Sequence, residues 1–315
     1  MGNACCTTED NIIMDETKNA FEDTNDQKGN KPIIENQDFP IGTANKQEQM
    51  NPAAPEAQEL YYNQGDWTKL DDPTQSANVT GGPFRYIDNN ATYTGQFRDG
   101  LRAGIGTEIT ADGEVYTGNW ADDQRNGSGR LFEIDGGVYE GEFRRGVKDG
   151  NGTMTHKSGF VYTGQWKNDR RDGHGVETGR DFRYEGDFKD NMKHGQGVWD
   201  IPGGGRFEGE FTNDIINGYG VYVFGEKSKK RRYEGNFKNG NFEGQGTLER
   251  KSGDVYRGNF KRGKYHGVGT LNKPGRGEYT GPFEDGFMEG EFTVKRPDGR
   301  TTRELFENNK KIRNL

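Results

Sequence analysis

From residue 81 onward, aromatic residues and glycines recur at fixed intervals, separated by charged and turn-forming residues. An aromatic-x-Gly-x-aromatic run appears at Tyr93, Gly95 and Phe97 and again at Tyr116, Gly118 and Trp120. It follows at Tyr139, Gly141 and Phe143, at Tyr162, Gly164 and Trp166, and at Tyr184, Gly186 and Phe188. Further runs start at Phe207, Tyr233, Tyr256 and Tyr279, with steps of 23, 23, 23, 22, 23, 26, 23 and 23 residues. Nine residues after each central glycine a Gly-x-Gly usually begins, as at Gly104, Gly127, Gly150 and Gly173. A register kept nine times marks an array of small supersecondary units.

Each unit reads as a β-hairpin. The three residues of a run alternate with polar ones, so they share one face of a strand. A turn such as Arg98-Asp99-Gly100 follows, then a second strand with Gly127, Gly129 and Leu131 expected on one face. Met154, Trp199, Tyr222, Leu248 and Leu271 take the place of Leu131 in other repeats. Turns such as Asp112-Gly113 and Ser158-Gly159 lead into the next run. Glycine normally weakens a strand interior. Beside large rings on the same face, it leaves room for a ring to lie flat on the backbone. Valine at 164 or 186 is therefore expected to disrupt hairpin stacking, and valine at 29 or 42 to change nothing.

Composition then divides the chain. Hydrophobic residues make up 28% and mean hydropathy is -1.14, but 50 of the 315 residues are glycine. A thick core of Leu, Ile and Val is disfavoured, and no apolar stretch is long enough for a transmembrane helix. Residues 1–80 hold 5 Lys and no Arg against 15 Asp and Glu, whereas the rest of the chain is near neutral. That tail cannot bury enough apolar surface to offset its chain entropy and is expected to be disordered. One stretch in it is less polar, with Leu60, Tyr61, Tyr62, Trp67 and Leu70. It reads either as a linker with stray aromatics or as a segment that docks on the folded part or on a partner.

The run Tyr-x-Gly-x-Phe/Trp followed by Gly-x-Gly resembles the MORN repeat (membrane occupation and recognition nexus). The resemblance covers about 93–292. It implies an all-β fold: an elongated, single-layer, twisted antiparallel sheet of consecutive β-hairpins, after the disordered N-terminal tail. The expected organisation is a tail over 1–80, a repeat array over 81–298 and a cap, partly helical, over 299–315. The array is expected to open with a half unit, in which Gly81 and Pro83 align with Gly104 and Gly106. In the ninth repeat Phe292 replaces the second glycine. The family further implies a scaffold for protein partners in membrane–cytoskeleton organisation, with homodimers through the array's end and ciliary roles in some members.

The chain begins Met1-Gly2-Asn3-Ala4-Cys5-Cys6-Thr7. N-myristoylation needs Gly at position 2 and favours Ser or Thr at position 6, which here is Cys. A single myristoyl chain anchors only marginally, with K on the order of 10⁴ M⁻¹. Cys5 and Cys6, the chain's only cysteines, are placed to carry palmitate as the second signal. The expected location is the cytoplasmic face of a membrane, at the plasma membrane or cortex, with the cilium as alternative. Membrane lipids are then partners through the acyl chains, and protein or cytoskeletal partners through the repeats.

The 26-residue step contains Lys227, Lys229, Lys230, Arg231 and Arg232, read as a basic loop that binds acidic lipid such as phosphoinositide or an acidic partner, or is simply solvated, or serves as an importin-like signal. His156, His174, His194 and His266 are spread over different repeats, and no metal site is expected. Gly-x-Gly lacks the strand–loop–helix context of nucleotide binding. No catalytic constellation stands out, no cofactor is implied, and the near-neutral array gives no nucleic-acid footprint. The reading is a non-enzymatic scaffold.

Overall fold

A computed structural model describes residues 79–85 and 90–315. The expected disordered tail, with Gly2, Cys5, Cys6 and the 60–70 stretch, lies outside the described residues, except that residues 79 and 80 open the first strand. Every element among the described residues is a β-strand. The chain divides into an N-terminal unit, ending at 180 and including 188–191, and a C-terminal unit of 181–187 and 192–315.

The N-terminal unit holds β1 (Val79–Arg85), β2 (Thr92–Arg98), β3 (Leu101–Ile109), β4 (Val115–Ala121) and β5 (Gln124–Phe132). β6 (Val138–Arg144), β7 (Val147–Thr155), β8 (Val161–Lys167) and β9 (Arg170–Thr178) complete it. Each strand pairs antiparallel with the next, from β1 to β9. β10 (Arg183–Lys189) crosses the division. The C-terminal unit continues with β11 (Met192–Ile201), β12 (Gly205–Thr212), β13 (Ile215–Phe224), β14 (Lys230–Lys238), β15 (Asn241–Arg250) and β16 (Val255–Lys261). β17 (Lys264–Lys273), β18 (Gly277–Glu284), β19 (Phe287–Met288), β20 (Gly290–Lys295), β21 (Thr301–Glu307) and β22 (Lys310–Asn314) end the chain. Here too, β11 to β18 pair in sequence, β18 pairs with β19 and β20, and β20 to β22 pair onward. The fold is all-β, built of consecutive antiparallel hairpins.

Local chemistry explains the hairpins. The turn inside each repeat is two residues long, and both often have positive φ, as at Asn168 (48°) and Asp169 (63°). That is the twist-compatible turn of tight hairpins, which Asn, Asp and Gly favour. Turns also tie successive repeats together. The side chain of Asp169 accepts a hydrogen bond from the Lys148 amide (2.8 Å), and Asp123, Asn191 and Asp214 do the same for Arg102, Arg171 and Lys193.

Three expectations need correction. Residues 299–315 are not helical: β21 and β22 continue the hairpin pattern, with Gly290 of β20 opposite Phe306. The opening half unit exists as β1, but Gly81 rather than Pro83 lies opposite Gly95, because an irregularity between Gly81 and Phe84 shifts the register. The third concerns the first glycine of each Gly-x-Gly. In β9 the ladder passes from Gly164↔Gly175 to Trp166↔Arg171, so β9 carries a bulge. Gly173 sits in it at φ +103°, where a side chain is strained, and a Cβ there would meet Gln165 rather than the ring beneath Gly175. The first glycine thus serves backbone conformation, and the second serves the ring.

Candidate functional site

In each unit one face of the strands carries a zipper of rings. In the N-terminal unit the order of contact is Phe97, Tyr93, Trp120, Tyr116, Phe143, Tyr139, Trp166, Tyr162 and Phe188. Centroids are 5.0–5.3 Å apart with planes 81–88° to one another. This edge-to-face arrangement is worth about 0.5–1.5 kcal/mol per pair beyond the area buried. Every second contact joins one repeat to the next, so the zipper supplies nearest-neighbour coupling. In the C-terminal unit it runs Tyr184, Phe211, Phe207, Phe237, Tyr233, Phe260, Tyr256, Phe283, Phe292 and Phe306.

The glycines make room for it. A Cβ on Gly164 would lie 2.5 Å from the Gly175 Cα and 2.6 Å from the Tyr162 hydroxyl. On Gly175 it would lie 2.5–2.7 Å from the Tyr162 ring and hydroxyl. Gly95, Gly118, Gly141 and Gly186 face their own partner glycines in the same way. Tyr93, Tyr116, Tyr139, Tyr162 and Tyr184 are completely buried, as are Tyr233 and Tyr256. Each hydroxyl donates to a backbone carbonyl three residues on, as Tyr162 does to Gln165 at 2.9 Å. Burial, the largest cause, pushes the hydroxyls of Tyr116, Tyr139, Tyr162, Tyr233 and Tyr256 well above the ordinary value of 10.0. Trp120, Phe143, Trp166 and Phe188 are buried and Phe97 is half-buried.

A position that the sequence reading passed over covers these rings. Nine residues after the leading ring stand Arg102, Arg125, Lys148, Arg171 and Lys193. Arg125 lies 4.9 Å from the Tyr116 ring centre, and Arg171 lies 5.6 Å from that of Tyr162. In later repeats the same position holds Ile216, Phe242, Tyr265 and Met288, all buried. Phe242 stacks on Tyr233 at 3.6 Å and Tyr265 on Tyr256 at 3.8 Å. The cations take carboxylate partners: Glu108 bonds Arg102 at 2.6 Å and Arg125 at 3.0 Å, and Glu177 bonds Arg171 at 2.6 Å. Glu108 and Glu177 occupy the place of Leu131, yet are only 7% and 5% exposed. A glutamate at an otherwise apolar repeat position, six residues after a basic one, was the signal available.

The opposite face carries side chains that differ between repeats. Thr107 pairs with Thr117, Thr153 with Thr163, and Thr270 with Thr280, at 3.0–3.1 Å. Elsewhere the pair is Arg130 with Glu140, at 3.1 Å. An open depression of about 600 Å³ in the C-terminal unit is lined by Tyr219, Glu234, Gln245, Thr247, Arg257 and Val268 among others. Tyr219 donates to Glu234 at 2.8 Å, which raises the phenol's pKa. Hydrogen bonds from Arg232 and then Tyr219 hold the Glu234 carboxyl below its ordinary range.

The basic segment is not a single loop. Lys227 and Lys229 lie between strands and are exposed, but Lys230, Arg231 and Arg232 belong to β14. Alternation along that strand buries Lys230 at 8% exposure, 5.6 Å from the Phe224 ring centre, leaves Arg231 exposed, and pairs Arg232 with Glu234 at 2.7 Å. Among the described residues no group of three or more His, Cys, Asp or Glu could hold a metal. His156 bonds Ser158 in its turn at 3.0 Å, and His174, His194 and His266 stand on separate strands.

The MORN repeat family matches residues 93–115, 116–136, 139–161, 162–181, 184–206, 207–228, 233–255 and 256–274, together more than half of the chain. The chain belongs to the MORN repeat family. Each MORN match starts at a leading ring of the zipper. The ninth triplet, at Tyr279, is not matched, and its packing differs: Phe292 lies against Gly281, where a Cβ would be 2.6 Å from its ring. The Tyr279 hydroxyl meets Arg296 at 3.1 Å instead of a carbonyl three residues on. As a MORN protein the chain is a repeat scaffold. No curated protein matches it. Among solved structures, the TCP10 domain of Danio rerio CPAP is similar at 12% identity and TM-score 0.33, over 67% of this chain and 94% of that one. The SAS-4 (dCPAP) TCP domain of Drosophila melanogaster is similar at 9% identity and TM-score 0.22, over 64% and 90%. Virginiamycin B lyase from Staphylococcus aureus is similar at 14% identity and TM-score 0.13, over 75% of each chain. These likenesses carry no argument about function.

Proposed function

We propose that this MORN protein is a membrane-tethered scaffold that organises protein partners at the cytoplasmic face of a membrane or at the cell cortex. The observation that carries the reading is the division of labour between the two faces. On the ring face the leading rings and the glycines recur and only their covering residues change, while the other face presents half-buried or exposed residues that change from repeat to repeat, such as Thr117, Glu140, Thr163, Glu234 and Arg257. A surface of that kind suits the recognition of other proteins and leaves the framework unchanged. The tether is assigned to Gly2, carrying myristate, and to Cys5 and Cys6, carrying palmitate. Two acyl chains give stable anchoring where one does not.

Fractionation of cells that express the full chain, with Gly2→Ala and Cys5 and Cys6→Ser beside wild type, tests the tether. The reading expects wild type with membranes and the variant released from them. A variant that still sediments with membranes overturns it. Imaging a copy tagged at the C-terminus then separates plasma membrane from cilium.

A further inference from the structure

The face of the C-terminal unit that turns away from the rings carries the open depression of about 600 Å³, which spans the five strands β13 to β17. With strands about 4.8 Å apart, it is on the order of 19 Å long. Apolar side chains mark its two ends: Tyr219 of β13 is 50% exposed and Val268 of β17 is 66% exposed. Both stand at the middle place of a Gly-x-Gly, a place that holds Ser128, Asn151, His174 and Gln196 in earlier repeats. One exposed apolar residue is ordinary on a protein surface, but two that line one depression mark a binding surface. The framework does not call for them, because its rings and glycines pack on the other face. Charge in the depression is uneven. Glu234 of β14 is engaged, accepting from Arg232 at 2.7 Å and from Tyr219 at 2.8 Å. Arg257 of β16 is exposed and makes no hydrogen bond or ion pair with any of the described residues. Every other repeat has Thr or Glu at its place. Its neighbours across the ladder are Thr247 and Thr270, whereas Arg130 in the N-terminal unit has Glu140 opposite at 3.1 Å.

We infer that this depression binds an extended segment of another protein, whose carboxylate pairs with Arg257 and whose apolar side chains lie on Val268 and Tyr219. Three observations choose that occupant. A guanidinium without a counter-charge offers parallel donors that match a carboxylate. The length of the depression takes about six residues of extended chain at about 3.3 Å each, more than a small acid fills. Glu234, an anion in the same depression, repels an anionic lipid surface, and it also repels a second acid in the bound segment. The charges therefore fix the direction of the segment as well as its class. Val268 is one strand from Arg257 and Tyr219 is three strands away on the other side. The expected pattern is an apolar residue one or two places from the acid on one side and another about four places away on the other. The inference rests on the scaffold reading, because the ligand is a protein, and not on the tether.

Display selection on the immobilised full chain, with a library of random peptides longer than the depression, tests it. Peptides held by wild type and counter-selected against Arg257→Glu are expected to share an Asp or Glu with apolar residues at that spacing on its two sides. A synthetic peptide of the enriched sequence is then titrated by fluorescence anisotropy. Its affinity is expected to fall about tenfold or more for Arg257→Gln, severalfold for Val268→Thr, and not at all for Lys261→Gln, an exposed change outside the depression. All three side chains are exposed, so the circular dichroism spectra are expected to match wild type. With its acid changed to Lys, the peptide is expected to regain affinity for Arg257→Glu, a reversal that a general loss of structure does not produce. Enriched peptides that lack an acid, or that bind Arg257→Glu as well as wild type, overturn this site and leave the scaffold reading in place. A selection that enriches nothing overturns both. Phosphatidylserine vesicles that bind wild type but not Arg257→Glu, with no acidic peptide enriched, overturn the inference and assign the depression to membranes.

Discussion

Arg102, Arg125, Lys148 and Arg171 cover the leading rings of the N-terminal unit, whereas Ile216, Phe242, Tyr265 and Met288 cover those of the C-terminal unit beyond 193. Apart from Phe207 in place of Tyr and the ninth repeat at Tyr279, the rings beneath are the same, and so are the glycines and the bulge. What differs is the consequence of each cover. An apolar cover needs only apolar surroundings, and in those repeats the place of Glu108 holds the buried Leu248 and Leu271. A charged cover needs a counter-charge in a nearly dry place, which Glu108 and Glu177 provide. Such a pair contributes little net stability over hydrocarbon of equal volume, but breaking it leaves a buried charge at a cost of about 3–5 kcal/mol. The MORN framework is therefore indifferent to the cover and intolerant of half of one.

The most damaging way to break the comparison is to attack what the two units share. Gly164→Val in the N-terminal unit and Gly258→Val in the C-terminal unit each place side-chain atoms on a glycine Cα 2.5–2.6 Å away. Each is expected to lose more than about 4 kcal/mol by urea denaturation, and equal losses show the shared framework. Phe242→Ala removes an apolar cover and is expected to cost about 3–5 kcal/mol, with no dependence on salt. High pH acts on both units through the buried tyrosines. Their folded pKa values are raised, so the stability they contribute is present below pH 10 and lost as pH rises above it. The expected loss is up to about 1.4 kcal/mol per tyrosine per pH unit, read from denaturation midpoints between pH 9 and pH 11. The smallest effect is at Gly159, which has φ +86° and open space around its missing Cβ. Gly159→Ala meets only backbone strain, about 1 kcal/mol, and a larger loss means that this turn has a second role.

How far the sequence predicted this arrangement depended on the kind of signal. Spacing alone placed the hairpins, the buried rings and the role of Gly95 or Gly164, because each follows from a period of two along a strand. The bulge at Gly173 was hidden, since a glycine needed for φ and one needed for space look alike in sequence. Arg171 and Glu177 were passed over because charged residues read as solvated until a ring is known to lie beneath them. At the C-terminus, Thr302 and Glu304 stand 23 residues after Tyr279 and Gly281, where a further repeat would have Tyr and Gly, which suggested a cap rather than more strands. Glu304 takes the glycine's place instead. Burial alone would raise its pKa, but bonds from Lys311, Arg296 and Thr302 outweigh that and hold it low.

The central claim, that charged and apolar covers are interchangeable only as complete sets, is tested most directly by native-state hydrogen exchange of the β8 and β9 amides. The variants to compare are Arg171→Met alone and Arg171→Met with Glu177→Leu. The single change removes the Arg171 guanidinium from a carboxylate that is 5% exposed and is expected to lower the opening free energy by up to about 3–5 kcal/mol. The double change is expected to restore it to within about 1 kcal/mol of wild type or above it. A double variant as unstable as the single one would contradict the account.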